Sequence, residues 1–285
     1  MSLKEYKEDL KKIKMIVSDI DGTLLDMNLQ IDNTALKYSK LIINHGIYFT
    51  LASQRIHSSI VPLAIRFDIN IPVISLNGAL VQDINGNDKL YCASINKKYV
   101  NEAVEYAEKN FMKICLCKLD KIIYTDSNSI FKDYFPVPDA EYVKVNDYVN
   151  NYNEVLQMNI LCENKDVLKK LKKKITFPFR WSIKTNFYRS QSQKNLHRLD
   201  IIPSGSSKRK AINLLMKHYG INRKEILVIG DWYNDVELFR IGGFNVTLKN
   251  GVRELKEMAD YVSDYTNDED GAGLFLKEFY EIIIN

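Results

Sequence analysis

Short apolar runs that end in a polar residue recur in the first and last parts of the chain. Four of them read MIVSD, IYFTLAS, IPVISLN and EILVIGD, and they end at Asp19, Ser53, Asn77 and Asp231. Runs that are apolar on both faces are typical of parallel-sheet strands that helices cover on each side. Apolar residues at helical spacing follow at residues 33–44 and 207–219. This alternation predicts an α/β fold with a Rossmann-like parallel sheet.

The middle of the chain, from about Gly86 to about Gln191, has a different pattern. The segments KICLCKLDKIIYTDS, VLQMNILCE and FRWSIKTNFYRS predict strands, and KKYVNEAVEYAEKN and KDVLKKLKKK predict helices between them. We therefore expect an α/β core domain of residues 1–85 and 192–285, with an α+β cap domain of residues 86–191 inserted into it. A cap in this position would lie over the active edge of the sheet.

Composition and charge narrow the class of protein. The 285 residues are 46% hydrophobic, which is enough for sizeable cores, and the net charge of +4 gives no molecule-wide attraction to nucleic acid. No stretch approaches the roughly 20 consecutive apolar residues that span a bilayer. The N-terminal segment MSLKEYKEDLKKIK is charged and does not resemble a signal peptide. We expect a cytoplasmic protein with neither a nucleic-acid nor a membrane partner.

Carboxylates follow the ends of two of the predicted strands. In open parallel sheets the ligand crevice lies outside the carboxyl ends of the strands, so the polar strand ends should converge. The converging residues would be Asp19, Asp21, Ser53, Asn77, Asp231 and Asp235. Four carboxylates in one crevice raise one another's pKa unless a cation neutralises them. A hard divalent ion such as Mg²⁺, which prefers carboxylate and carbonyl oxygens, would do so.

Each of these motifs has a simpler structural interpretation when taken alone. An Asp-x-Asp-Gly sequence also occurs in turns, because Asp and Gly tolerate turn geometry. The GDWYND segment could be a loop that precedes an Asn-capped helix. Their joint occurrence, in order and each at a strand end, favours a catalytic site.

Lys208 is a separate indication of function. The segment PSGSSKRKAINLL begins a helix with Ser206 or Ser207 as its cap and places three cations in the first turn. Cations there face the positive end of the helix dipole, which is unfavourable. Residues that break a local rule in this way are typical of functional sites. For Arg209 and Lys210 a solvated basic patch is an open alternative, but Lys208 lies nearest the sheet edge.

Together the motifs resemble the haloacid dehalogenase-like superfamily of phosphohydrolases, in its Cof-like branch with an α+β cap between the second and third motifs. The D-x-D-G-T-L motif stands at residues 19–24, the second-motif serine is Ser53, and the N-G-A signature stands at residues 77–79. The third-motif lysine is Lys208, G-D-x-x-N-D stands at residues 230–235, and DGAG at residues 270–273 matches the closing element. Gln54 and Arg209 replace glycines of the usual pattern, which affects the expected substrate range more than the chemistry.

The resemblance implies a role for each matching residue. Asp19 would be the nucleophile that forms an aspartyl phosphate, and Asp21 would be the general acid and then the general base. Mg²⁺ would be held by Asp19, the Asp21 carbonyl and Asp231, with Asp235 as a further ligand or an orienting group. The substrate phosphate would contact Ser53, Lys208 and Asn234, with Asn77 and Gly78 close to the substrate.

The function that the resemblance implies is Mg²⁺-dependent hydrolysis of a small-molecule phosphate monoester. A sugar phosphate, or a phosphorylated cofactor such as pyridoxal phosphate or flavin mononucleotide, is the expected substrate. A dehalogenase of the superfamily would lack Asp21. A phosphomutase or phosphotransferase, and a non-catalytic module that binds a phosphorylated ligand, are open alternatives. The oligomeric state does not follow from the sequence.

Overall fold

A computed structural model describes residues 3–129, 131, 140–177, 182–189 and 195–285. Its strands are β1 (Met15–Ser18), β2 (Tyr48–Leu51), β3 (Val73–Ser75), β4 (Leu80–Gln82), β5 (Lys89–Cys92), β6 (Lys113–Cys117), β7 (Lys121–Thr125), β8 (Glu141–Val145), β9 (Gln157–Cys162), β10 (Ile183–Arg189), β11 (His197–Pro203), β12 (Ile226–Ile229), β13 (Phe244–Thr247) and β14 (Tyr261–Val262). Its α-helices are α1 (Lys7–Leu10), α2 (Asn33–Asn44), α3 (His57–Arg66), α4 (Lys97–Lys109), α5 (Lys165–Thr176), α6 (Lys208–Tyr219), α7 (Val236–Phe239), α8 (Arg253–Met258) and α9 (Gly271–Ile283).

A five-stranded parallel sheet, in the order β14-β13-β12-β1-β2, forms the centre of the fold. All residues of the two central strands, β1 and β12, are buried. They belong to a hydrophobic core that also contains residues of α2, α6 and α9, as expected for strands that helices cover on both faces. The predicted α/β class is confirmed.

The strand that ends before Asn77 differs from the prediction. β3 lies in a three-stranded antiparallel sheet with β4 and β5, and a single parallel bridge between Ala52 and Ile74 joins it to the chain after β2. The chain reverses direction directly after β3, through residues 76–78, where Leu76, Asn77 and Gly78 all have positive φ. This tight reversal makes β4 the antiparallel partner of β3.

A six-stranded sheet, in the order β10-β11-β9-β6-β7-β8, forms a second layer. One of its faces packs on α4 and α5, whose apolar residues share a core with Leu116, Ile160 and Ile201. The opposite face packs on the rest of the protein, since Cys115, Cys117 and Leu161 share a second core with the 76–80 segment. The six-stranded sheet therefore lies over the turn that contains Asn77.

The predicted division into a core and an inserted cap stays a prediction. Its downstream boundary, Gln191, lies outside the described residues. β11 follows that boundary yet pairs with β9 and β10 in the six-stranded sheet, and β5 follows Gly86 yet pairs with β4. These pairings favour an insert that begins after Cys92 and ends near Pro203.

Candidate active site

Three buried aspartates converge at the carboxyl end of the central strands. Asp19 follows β1, Asp231 follows Gly230 at the end of β12, and Asp235 lies in the 3-10 turn Tyr233–Asp235. Because β1 and β12 are adjacent and parallel, with Ser18 opposite Ile229, the residues after them meet at one edge. One carboxylate oxygen from each aspartate lies within 4.8 Å of the others.

Lys208 brings a positive charge into this cluster. It is the first residue of α6, and its Nζ donates to Asp19 Oδ1 at 2.5 Å and to Asp235 Oδ1 at 2.7 Å. Only 1% of its side chain is exposed. Burial alone lowers the pKa of Lys208, but the two carboxylates outweigh burial and raise that pKa, so the ammonium stays charged. Ser207, one of the two predicted caps, accepts from the Lys210 backbone N–H at the start of this helix.

One buried ammonium does not balance three buried carboxylates. Burial, followed by the charge of Asp235, raises the pKa of Asp19 to about 8. Burial and the charge of Asp19 raise the pKa of Asp231 well above its usual range. A further cation would relieve both shifts, and oxygen donors at this spacing suit a hard divalent ion. The residues therefore fit the magnesium site that the sequence predicts.

The glycine of the Asp-x-Asp-Gly motif lets its loop approach Asp231 closely. Gly22 has φ +79°, and a Cβ at this position would lie 2.3 Å from Asp231 Oδ2. The next residue, Thr23, donates its hydroxyl to Asp231 Oδ1 at 3.0 Å, and Asn250 Nδ2 donates to the Gly22 carbonyl at 2.8 Å. The loop after β1 thus orients the carboxylate of β12.

The Asp21 carboxylate is separate from this cluster. It accepts from Arg55 Nε at 3.0 Å and from Arg55 Nη2 at 2.5 Å, and 35% of its side chain is exposed. Arg55 is almost fully buried, and its backbone N–H donates to the Ser53 hydroxyl at 3.1 Å. The structure therefore gives the two motif-one aspartates different environments: Asp19 faces a lysine and two carboxylates, and Asp21 faces an arginine.

A cavity of about 340 Å³ adjoins the cluster, between the parallel-sheet part and β10. Of the predicted site residues, Asn77, Lys208 and Asn234 line it. Ser53 is buried and is not among the lining residues, and its carbonyl accepts from the Asn77 N–H at 3.1 Å. Gly78 packs closely against the start of α6: a Cβ at this position would lie 2.3 Å from the Ser207 carbonyl oxygen, so only glycine fits.

The sequence matches a known family over almost its whole length. The model of the family described as haloacid dehalogenase-like hydrolase matches residues 16–276, which include every motif residue of the cluster. The chain belongs to the haloacid dehalogenase-like hydrolase family. It is therefore an enzyme of the hydrolase class, and the acidic cluster lies where the family's motifs fall.

Relatives of this haloacid dehalogenase-like hydrolase align over nearly full length. A Mycoplasma genitalium protein named "Putative phosphatase MG265" is 27% identical, over 94% of this chain and 99% of its own. The Bacillus subtilis 5-amino-6-(5-phospho-D-ribitylamino)uracil phosphatase YitU is 25% identical, over 94% of this chain and 98% of its own. The crystal structure of a haloacid dehalogenase-like hydrolase from Bacteroides thetaiotaomicron is 26% identical, with a TM-score of 0.81 over 93% of this chain and 99% of that one.

The hydrolase also contains a buried polar chain that sequence reasoning missed. Asn77 Nδ2 donates to Gln157 Oε1 at 2.9 Å, and Gln157 Nε2 donates to Asn159 Oδ1 at 2.8 Å. Arg198 Nη2 donates to Asn159 at 3.2 Å and forms a bidentate pair with Asp200. Gln157 and Asn159 are alternate residues in the predicted strand VLQMNILCE, so their two amides lie on one face of that strand. This pair of amides in an otherwise apolar strand was the sequence feature that could have indicated the buried polar chain.

Arg55 is a second residue to which the sequence analysis gave no role. It stands two positions after Ser53, and its contact with Asp21 joins segments 34 residues apart. Within the described part of the chain, no helix of this hydrolase is both long and apolar enough to cross a bilayer.

Proposed function

We propose that this hydrolase is a Mg²⁺-dependent phosphatase that cleaves small-molecule phosphate monoesters through an aspartyl phosphate on Asp19. The observation that carries the proposal is the difference between the two motif-one aspartates. Asp19 lies in the acidic cluster against Lys208, whereas Asp21 lies outside it against Arg55. A covalent phosphatase needs one carboxylate that attacks and a second that moves protons.

Asp19 is suited to the nucleophilic step. Lys208 occupies Oδ1, and Oδ2 makes no hydrogen bond within the described residues. Attack by Oδ2 on phosphorus forms the Asp19–phosphate bond and breaks the bond to the leaving alkoxide. Water then attacks the same phosphorus, which releases inorganic phosphate and restores the carboxylate.

Asp21 is suited to proton transfer because it is partly exposed and two residues from Asp19. In the first step a protonated Asp21 gives its proton to the leaving oxygen, and in the second step the ionised Asp21 takes a proton from the attacking water. The two hydrogen bonds from Arg55 occupy both carboxylate oxygens of Asp21, so this contact must loosen before Asp21 can reach the leaving oxygen. Arg55 thus provides a resting position for the Asp21 side chain.

Mg²⁺ would be held by the carboxylates of Asp19 and Asp231 and the Asp21 carbonyl, with Asp235 as a ligand or an orienting group. When bound, it would neutralise charge on the phosphoryl oxygens. Lys208, Ser53 and Asn234 would bind those oxygens as well. The raised pKa values of Asp19 and Asp231 support this assignment, because a bound cation would offset the repulsion between these buried carboxylates.

The phosphatase relatives and the size of the cavity support a proposal for the substrate class. YitU is named for an ester of a ribityl chain, which is a polyol. We propose a sugar phosphate or a phosphorylated cofactor for the present enzyme, since about 340 Å³ accommodates a leaving group of that size.

The test compares Asp19→Asn with Asp21→Asn on 4-nitrophenyl phosphate, whose leaving group needs little protonation. With Mg²⁺ present, Asp19→Asn should neither turn over nor become phosphorylated. Asp21→Asn should accumulate phosphate on Asp19, and its turnover should fall roughly 10²–10⁴-fold, the usual cost of losing a positioned acid or base. Rapid quenching and protein mass spectrometry measure the phosphoenzyme, and activity of the parent should disappear with a chelator and return with Mg²⁺.

Equal, phosphate-free masses for both variants would contradict the division of roles, and phosphate on another residue would contradict the nucleophile. Full activity of the parent in metal-free buffer would exclude the metal assignment. Transfer of phosphate to an added sugar in place of water would identify a phosphotransferase.

A further inference from the structure

The outer wall of the cavity is formed by the edge strand β10. Its residues Lys184, Asn186 and Tyr188 lie opposite Ile202, Asp200 and Arg198 of β11, respectively. Residues directly opposite each other in an antiparallel pair share one face, so these three side chains are on the same face of the sheet as the buried Arg198–Asp200 pair. All three line the cavity together with Lys208 and Asn234. The strand therefore presents three polar side chains toward a ligand bound at the acidic cluster.

The middle of this wall has two hydrogen-bonding groups that have no protein partner among the described residues. Within the described residues, neither the Asn186 amide nor the Tyr188 hydroxyl makes a hydrogen bond. Burial raises the pKa of Tyr188, and the charges that affect it include Asp200 beside it and Asp235 in the acidic cluster. Tyr188 belongs to β10 and lines the cavity together with Lys208, and its hydroxyl stays neutral as a donor.

The rim of the cavity carries an excess of positive charge. Besides Lys208, whose charge is balanced by Asp19 and Asp235, the charged lining residues in the described part of the chain are Lys172, Lys184 and Glu237. Glu237 lies 4.0 Å from Lys184 and 3.7 Å from Arg240, so one carboxylate is shared by two cations.

Lys172 adds a further cation to the rim. It makes no ion pair within the described residues, and it is partly buried, whereas the next residue of α5, Lys173, is exposed. Unbalanced cations inside a concave site attract anionic groups.

We infer that the enzyme prefers phosphate esters whose leaving group carries a second anionic group, and that Lys184 and Lys172 bind that group. This inference rests on the proposed phosphatase function. In the proposed function Lys208 binds the scissile phosphate, so Lys184 and Lys172 are available to bind a second anionic group of the same substrate molecule. A carboxylate and a second phosphate share the chemistry that two ammonium groups recognise, and polar atoms between the two anionic ends would meet Asn186 and Tyr188.

The test uses two pairs of substrates that differ in the second anionic group. 3-Phosphoglycerate and glycerol 3-phosphate differ by a carboxylate, and fructose 1,6-bisphosphate and fructose 1-phosphate differ by a phosphate. Kinetics with Mg²⁺ compare the parent enzyme with Lys184→Gln, Lys172→Gln and the matched control Lys173→Gln. Calorimetric binding of the same ligands to Asp19→Asn gives the comparison without turnover.

The parent should favour the acidic member of at least one pair roughly 10- to 100-fold in kcat/KM, the range expected for a charge-assisted hydrogen bond. Lys184→Gln and Lys172→Gln should each remove most of that preference, and Lys173→Gln should keep it. The pair that shows the preference identifies the carboxylate or the phosphate as the recognised group.

No preference in either pair would overturn the inference. Equal losses for acidic and neutral esters in Lys184→Gln would also overturn it, because the lysine would then only attract the scissile phosphate. If the parent hydrolyses none of the four esters, the calorimetric comparison decides which ligands the rim binds. Failure of the parent to hydrolyse 4-nitrophenyl phosphate would contradict the phosphatase proposal instead.

Discussion

Replacement of Lys208 by methionine tests whether the buried charges at the strand ends are balanced as the structure indicates. The Lys208 ammonium lies 2.5 Å from Asp19 Oδ1 and 2.7 Å from Asp235 Oδ1, with 1% of its side chain exposed. Methionine has a similar length, so it fills the space without a large cavity. What it removes is the only cation among the described residues that pairs with a member of the aspartate cluster, where it contacts Asp19 and Asp235.

The expected loss of stability is large. Removal of one partner from a buried ion pair typically costs about 3–5 kcal/mol, because the remaining charge is left without compensation in a poorly solvated site. Two carboxylates lose their partner here, so we expect the free energy of unfolding to fall within or above that range. Mg²⁺ should recover part of the loss, and it should stabilise Lys208→Met more than the parent, since it supplies the missing positive charge.

The assay is urea denaturation of the parent, Lys208→Met and the control Arg209→Met, each with chelator and with Mg²⁺. Arg209 is the neighbouring first-turn cation and is only partly buried, so its loss should change stability by about 0.5 kcal/mol or less. A loss below about 1 kcal/mol for Lys208→Met would refute the charge-balance argument, given the cost expected for a broken buried pair. An equal loss in both variants would attribute the effect to the helix terminus instead.

Two further predictions concern other positions. Gly22→Ala should abolish activity and destabilise the protein more than Gly46→Ala does. A Cβ at Gly22 would lie 2.3 Å from Asp231 Oδ2, whereas Gly46 has a similar positive φ and nothing within 4 Å of its Cβ position. Thermal melts and turnover measure the two effects, and equal effects would contradict the close-approach argument. Burial raises the pKa of Asp32 to about 6, so its favourable contribution is complete below about pH 4 and is lost as the pH rises through 6. The stability of the parent relative to Asp32→Asn should therefore fall between pH 4 and pH 6 in urea titrations, and a constant or rising difference would be inconsistent with a raised pKa.

Sequence patterns predicted the strands and helices that carry the motifs. β1, β12 and α2 form where the pattern of apolar residues predicted them. The pattern is informative because a strand or helix carries apolar side chains on the faces that it buries. The order of the motifs along the chain predicted that Asp19, Asp231 and Lys208 lie close together, because parallel strands end at the same edge of a sheet.

Other features depended on contacts between distant segments. The antiparallel pairing of β3 follows from three successive residues with positive φ, two of which are not glycine, and no local pattern indicated this reversal. The contact between Arg55 and Asp21 joins two loops, and the Asn77–Gln157 contact joins segments 80 residues apart.

The sequence by itself determined the α/β class and the family of this hydrolase and predicted its candidate reacting groups, because each of these depends on residue types at short, regular spacing. The tertiary structure decided the environments of those groups. It buried Asp19 beside Lys208, left Asp21 partly exposed against Arg55, and placed Lys184 and Lys172 at one cavity. The physical reason is that pKa, charge balance and cavity shape depend on distances between side chains that are remote in sequence, and only the packed chain fixes those distances.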